Sequence, residues 1–193
     1  MSRLLIATNN QGKVKEIKAI LGGFYDEIVS LKDAGISLEV VEDGDSFEAN
    51  AIKKAREAAD LAGCDALADD SGLCVDALGG APGIYSARYA GDDATDAKNN
   101  EKLLRALDGI ANRSARFVSV VALVSGGVVT TACGEVCGVI AHAPSGGGGF
   151  GYDPLFFVPE LGQTFAEIPA EIKNGFSHRA RALSALRKKL ADV

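Results

Sequence analysis

The sequence predicts an α/β protein, and three observations carry that prediction. An apolar run at residues 3–8 passes through a polar turn into an amphipathic helix; further apolar runs alternate with helical stripes; and two long segments rich in Val and Thr meet at Ser125-Gly126-Gly127. The 193 residues suffice for one large domain or for two lobes sharing a cleft, and either can bury a substantial core. Hydrophobic content of 47% with 24% charged residues is that of a folded globular chain, so disorder is not expected.

Residues 3–8 are almost wholly apolar, as suits a central strand covered on both faces. Beyond Thr8-Asn9-Asn10-Gln11-Gly12-Lys13, the residues Val14, Ile17, Ile20 and Leu21 recur at helical spacing, and Gly22-Gly23 stops the helix. A turn of this kind offers backbone amides at a helix N-terminus to a phosphate, or is simply capped by Thr or Asn. Residues 27–31 read as a second strand and residues 36–42 as a third. In the third, Ile36, Leu38, Val40 and Glu42 share one face, so a carboxylate continues an apolar stripe and suggests a ligand at a strand end. Asp45 and Glu48 have capping-box spacing. The stripe Phe47, Ala51, Ile52, Ala55, Ala58, Ala59 and Ala62 then predicts a helix ended by Gly63 and packed closely on a sheet.

Residues 64–68 enter a buried strand that leads to Asp69 and Asp70 ahead of Gly72. Two ionised groups there are unfavourable unless a cation or hydrogen-bond donors compensate them, which marks a candidate catalytic centre. An Asx-turn at a strand end is the alternative. After a turn, residues 73–78 can return as a strand, followed by the loop Gly79-Gly80-Ala81-Pro82-Gly83. Thr95 or Asp96 starts a helix with Leu103, Leu104 and Leu107 inward, ending near Gly109, and residues 116–124 and 128–140 form a hairpin of long strands.

Residues 145–151 match G-x-G-x-x-G at Gly146, Gly148 and Gly151, but Pro154 forbids the helix that a dinucleotide fingerprint requires, and no P-loop is present. Residues 155–158 read as a strand. Ser177 caps a last helix with Leu183, Leu186 and Leu190 inward. His178 and Arg179 fall in its first turn, where cations oppose the helix dipole and a nearby anion would offset the repulsion.

A net charge of -6 argues against sequence-independent nucleic-acid binding. Residues 4–7 are too short for a signal segment, and no run approaches the roughly 20 apolar residues of a membrane helix, so a cytoplasmic location and no membrane partner are expected. Cys64, Cys74, Cys133 and Cys137 lack paired CxxC spacing and are expected to be buried free thiols.

Five stretches converge on one family: Thr8-Asn9-Asn10 with Lys13; Glu42 with Phe47-Glu48-Ala49-Asn50-Ala51; Ala68-Asp69-Asp70-Ser71-Gly72-Leu73; Phe150-Gly151-Tyr152-Asp153-Pro154; and Lys173 with Ser177-His178-Arg179. Together, and in this order, the chain resembles the inosine and xanthosine triphosphate pyrophosphatases. The loop from Leu78 to Tyr89 also looks like that family's. The resemblance implies a single domain over residues 1–193, built on a long, mixed, twisted sheet flanked by helices, with two lobes and an active-site cleft between them.

The implied activity is Mg²⁺-dependent hydrolysis of noncanonical purine nucleoside triphosphates (ITP, dITP, XTP) to the monophosphate and pyrophosphate, by a homodimer. Thr8, Asn9, Asn10, Gln11, Gly12 and Lys13 would bind the triphosphate, and Glu42 and Asp70 would hold the metal. Asp70 would also be the proton acceptor, with Ser71 contacting substrate beside it. Phe150, Gly151, Tyr152 and Asp153, with Lys173, His178 and Arg179, would form the base and sugar side. Asp69 should point to the opposite face from Asp70 if the strand continues that far, in a structural or supporting role. Lys53 and Lys54 suit the family pattern but are left outside the site, since helix faces carry lysines for solubility. Two other readings stay open: a related pyrophosphatase acting on modified pyrimidine or standard triphosphates, and a nucleotide-binding sensor without catalysis.

Overall fold

The computed structural model describes residues 2–191. Its elements are β1 (Arg3–Ile6), α1 (Gln11–Leu21), β2 (Glu27–Ser30), α2 (Phe47–Ala62), β3 (Asp65–Val75), α3 (Asp96–Ala106), β4 (Ser114–Ser125), β5 (Val128–Ile140), β6 (Phe156–Val158), β7 (Gln163–Thr164), α4 (Ala170–Phe176) and α5 (His178–Ala191). The strands form a mixed seven-stranded sheet in the order β2-β1-β3-β4-β5-β6-β7. β1 runs parallel to β2 and β3, whereas β5, β6 and β7 pair antiparallel. The chain divides into two compact units, one holding residues up to Asp70, Ser119–Gly134 and the stretch from His178 onward, the other Ser71–Val118 and Glu135–Ser177.

In the first unit, Leu4, Leu5 and Ile6 are at most 1% exposed, as the unbroken apolar run of β1 requires of a parallel strand covered on both faces. Leu4 and Ile6 pack with Val14, Ile17 and Leu21 of α1 and with Ala182, Leu183 and Leu186 of α5. Leu5 and Ala7 pack on the other face with Ala51, Ala55 and Ala58 of α2. Those three alanines are fully buried, and their small side chains let the α2 backbone approach the sheet. In the second unit, Leu73, Leu103, Leu107, Phe117, Phe156 and Phe165 build one core, with the Phe117 and Phe165 rings stacked at 5.6 Å.

Four local expectations are corrected. β3 runs unbroken through Asp69, Asp70, Ser71 and Gly72, so there is no turn at the carboxylate pair. Residues 73–75 finish this strand, and Asp76–Leu78 is a single 3-10 turn. Residues 36–42 form no strand. Their alternation is real, since Ile36, Leu38, Val40 and Glu42 are half-buried between exposed neighbours, but alternation alone supplies no ladder partner. Ser46, not Asp45, caps α2, accepting from Ala49 N at 3.2 Å. Of the cysteines only Cys74 is buried. Cys133 and Cys137 occupy the outward phase of β5, whose inward phase is taken by Ala132, Gly134 and Val136.

Candidate active site

The first cluster is built on β3, where the two-residue period sends adjacent carboxylates to opposite faces. Asp70 is 5% exposed and turns toward α2. Its Oδ1 accepts from Lys54 Nζ at 2.9 Å and its Oδ2 from Asn50 Nδ2 at 3.3 Å. Asn50 is fixed in turn, because its Oδ1 accepts from Gly44 N at 2.9 Å. A Cβ at position 44 would come within 2.6 Å of that same oxygen, so glycine is what allows the approach. Burial pushes the Asp70 carboxyl above its ordinary value, and the Lys54 ammonium reverses only part of that rise.

Asp69 is 2% exposed and fully partnered. Arg179 grips it through Nε to Oδ2 at 3.2 Å and Nη2 to Oδ1 at 3.1 Å, Lys13 Nζ lies 2.6 Å from Oδ1, and Ser119 Oγ donates to Oδ2 at 2.5 Å. Burial alone would raise this carboxyl, but Arg179 and Lys13 outweigh it and hold the group well below the usual carboxylate range. Arg179 also pairs with Glu16 of α1. The supporting role expected for Asp69 thus has a physical form, a buried knot joining α1, β3, β4 and α5.

At the start of α1 the polar turn is capped by its own side chains. Asn10 Oδ1 accepts from Gly12 N at 2.9 Å and Lys13 N at 3.2 Å, and Thr8 Oγ1 from Asn10 N at 3.2 Å. Ordinary capping therefore uses these amides, and Asn9 and Gln11 lie exposed beside them. Lys13 is the cation of this turn. Burial, with Arg179 and Lys54 nearby, lowers its pKa despite the opposing pull of Asp69. An ammonium in that state gains from an arriving anion.

Glu42 Oε1 lies 3.1 Å from the Lys54 Nζ that also holds Asp70. Two carboxylates brought to one cation are a donor set that fits Mg²⁺, which takes one or two carboxylates and completes its shell with water and phosphate oxygens. Among the described residues, no group of three or more His, Cys, Asp or Glu is placed to hold a metal.

A second cluster lies in the other unit. Asp153, 3% exposed, accepts at Oδ2 from Phe150 N at 2.9 Å and from Lys173 Nζ at 2.7 Å. The Lys173 ammonium also sits 5.3 Å from the Phe150 ring centroid and 5.2 Å from that of Phe165, a cation held by one carboxylate and two aromatic faces. Gly151 is clamped from both sides, its N–H donating to Asp96 at 2.7 Å and its carbonyl accepting from Asn100 at 2.9 Å. Tyr152 is buried and donates its hydroxyl to the Ser86 carbonyl at 2.8 Å, which makes it a brace for the loop. Ser71 is half-buried in β3.

The expected residues therefore fall into two groups. Lys13 and Arg179 meet on Asp69, and Glu42 and Asp70 meet on Lys54, whereas Phe150, Asp153 and Lys173 meet one another. Arg179, expected beside Lys173, makes its ion pairs with Asp69 and Glu16. His178, 4% exposed, opens α5 next to it. Sequence reasoning left out Lys54, Asn50, Asp96 and Asn100. For the first two a signal existed, since both fall inside the alanine stripe of α2, where polar side chains need buried partners.

The chain matches the model of the Ham1 family over residues 4–189. It is 54% identical to a dITP/XTP pyrophosphatase of Geobacter sulfurreducens, over 98% of this chain and 97% of that one. It is 52% identical to a dITP/XTP pyrophosphatase of Listeria innocua, over 100% of this chain and 97% of its relative. Among solved structures it is similar to the Ham1 protein of Staphylococcus aureus, with a TM-score of 0.87, 41% identity and 99% of both chains covered.

Proposed function

Because the chain belongs to the Ham1 family, we propose that it hydrolyses noncanonical purine nucleoside triphosphates, ITP, dITP and XTP, to the monophosphate and pyrophosphate. The observation that carries this reading is the convergence of Glu42 and Asp70 on one cation position, with the Lys13 ammonium close enough to feel Lys54. That is the charge pattern a magnesium triphosphate needs, two anions for the metal and a cation for phosphate.

Glu42 and Asp70 would hold Mg²⁺, which when bound supplies charge neutralisation and polarises water. Asp70 takes the proton of the attacking water. Burial holds its pKa above the ordinary carboxylate value, which makes it a stronger base than an exposed Asp. As the new phosphorus–oxygen bond forms, the α–β phosphoanhydride breaks and pyrophosphate leaves. Lys13 would meet phosphate charge. The Asp69 knot keeps α1 and β3 together, so that Lys13 and Asp70 stay in place.

In the second unit, Phe150 would stack on the base and Lys173 would donate to it. Hypoxanthine and xanthine carry a 6-oxo acceptor where adenine carries an amino donor, so an ammonium favours them. Gly151, Tyr152 and Asp153 would frame that contact, Ser71 would meet the substrate beside Asp70, and His178 would act beside Arg179. The proposal extends to a homodimer working in the cytoplasm. Among the described residues no helix is long and apolar enough to cross a membrane.

Incubation with ITP, XTP, GTP, ATP and dTTP, with Mg²⁺ or EDTA, tests the reading by product identification. Monophosphate and pyrophosphate from ITP and XTP, dependent on Mg²⁺, are expected. Equal rates on all five, or stepwise release of single phosphates, would refute it.

A further inference from the structure

Lys54 sits on α2 with its side chain only 11% exposed, and its ammonium has a complete set of acceptors. Glu42 Oε1 lies at 3.1 Å, Asp70 Oδ1 at 2.9 Å and the Asp69 carbonyl oxygen at 3.1 Å. An ammonium has three donors, so three oxygens saturate it. All three are hard oxygens and two carry charge, which is the environment a divalent cation takes in proteins.

The arrangement also answers a mechanical need. Glu42 lies on a segment without ladder hydrogen bonds, so little in the backbone ties it to Asp70. The segment is tied to α2 by Gly44 N donating to Asn50 Oδ1 at 2.9 Å and by two consecutive lysines, Lys53 to Asp43 at 2.7 Å and Lys54 to Glu42. Of these, Lys54 is the one that meets the Glu42 and Asp70 carboxylates together. Without Lys54, two carboxylates facing one point would repel and the Glu42 carboxylate would swing away from Asp70. We infer that Lys54 is a positioning residue that stands in for the metal: before a divalent ion arrives its ammonium gathers Glu42 and Asp70 to one point, and an entering ion must displace it. The inference rests on the metal site proposed above. Its consequence is a site formed in advance but with weak affinity for metal alone, so that metal and nucleotide bind best together.

Mn²⁺, which shares the oxygen preference of Mg²⁺ and is paramagnetic, is the probe. With no nucleotide present, Lys54→Met should bind Mn²⁺ about tenfold more tightly than the parent protein, because no ammonium competes for the carboxylates. In EDTA the same variant should unfold at a lower temperature and gain more from added Mn²⁺. Independently, acylation of Lys54 in the unaltered protein, followed by mass spectrometry, should accelerate severalfold when Mn²⁺ releases the ammonium. Unchanged or weaker Mn²⁺ affinity in Lys54→Met overturns the inference, as expected if Lys54 serves only a bound phosphate. So does acylation that Mn²⁺ leaves unchanged, and this second measurement decides alone if the variant does not fold. Pyrophosphate release from ITP by the unaltered protein is scored separately. Its absence removes the proposed function, whereas hydrolysis with unaltered Lys54 acylation removes only the placeholder role.

Discussion

Asp69 and Asp70 are neighbours in β3 whose carboxylates meet different cations: Arg179 and Lys13 hold Asp69, and Lys54 holds Asp70. One is locked into a buried knot. The other shares its ammonium with Glu42 and keeps a raised pKa. Replacing each in turn by asparagine separates these roles.

Asp70→Asn keeps the shape and the Asn50 side of the site but removes the proposed base and one of the oxygens proposed to hold the metal. Pyrophosphate release from ITP should fall about a thousandfold while calorimetry still detects nucleotide binding. Turnover within about tenfold of the parent would put the base elsewhere.

Asp69→Asn should act on stability. It leaves Lys13 and Arg179 short of a buried counter-charge, for a loss of about 3 kcal/mol in urea unfolding. The pH dependence follows from the sign of the shift. The Asp69 pKa is depressed in the folded chain, so its contribution is complete above the ordinary carboxylate pKa of about 4 and is lost as pH falls toward the folded value. The parent protein should therefore lose this stability as pH falls below about 4, and the Asn variant should show a shallower acid decline. Parallel acid profiles would contradict the assignment.

Lys173→Ala removes the ammonium between Asp153 and the two aromatic rings. If Lys173 reads the base, the ratio of kcat/KM for ITP over ATP should drop about tenfold, whereas Asp70→Asn should slow both substrates alike. An unchanged ratio would show that discrimination resides in other side chains.

Gly149→Ala tests the same cluster without touching its charges. Gly149 has a φ of 72°, and an added Cβ would lie 2.8 Å from Asp153 Cγ. The carboxylate must then leave Phe150 N and Lys173. Stability should fall by about 1–2 kcal/mol, and kcat/KM for ITP should fall with it. A variant with parent stability would mean that the loop absorbs the methyl group.

Much of the frame was legible because burial leaves a periodic trace. The apolar run of β1 and the alanine stripe of α2 could be read directly, as could the Gly63 stop, where φ is 63°. Residues 36–42 show the limit of that trace. Their alternation gave the correct inward face, but pairing depends on an available sheet edge, which no local pattern encodes. The turn expected at Asp69-Asp70 was a similar error, because polar residues followed by glycine resemble a strand end when their buried partners are unknown.

Within the candidate site, Glu42 and Asp70 stood out in sequence as carboxylates that continue apolar runs, whereas Lys13 entered through the family resemblance. Lys54 was passed over because a lysine on a helix usually faces solvent, and only its position within the buried stripe argued otherwise. The Arg179 to Asp69 pairing spans 110 positions, a separation that spacing rules cannot address.

The pairing of β1 with β3 aligns Leu4, Leu5 and Ile6 with Asp65, Ala66 and Leu67, three residues upstream of the carboxylates. Deletion of Ala68 with that pairing intact would slide Asp70 into the place of Asp69, against Arg179 and Lys13, and put Ser71 opposite Lys54. No charge would be lost from the chain, yet the proposed base would be gone. Which carboxylate meets Lys54 and Glu42 is thus a matter of counting from a strand junction, and single-residue length changes between Asp65 and Asp70 should be tolerated less well than most substitutions there.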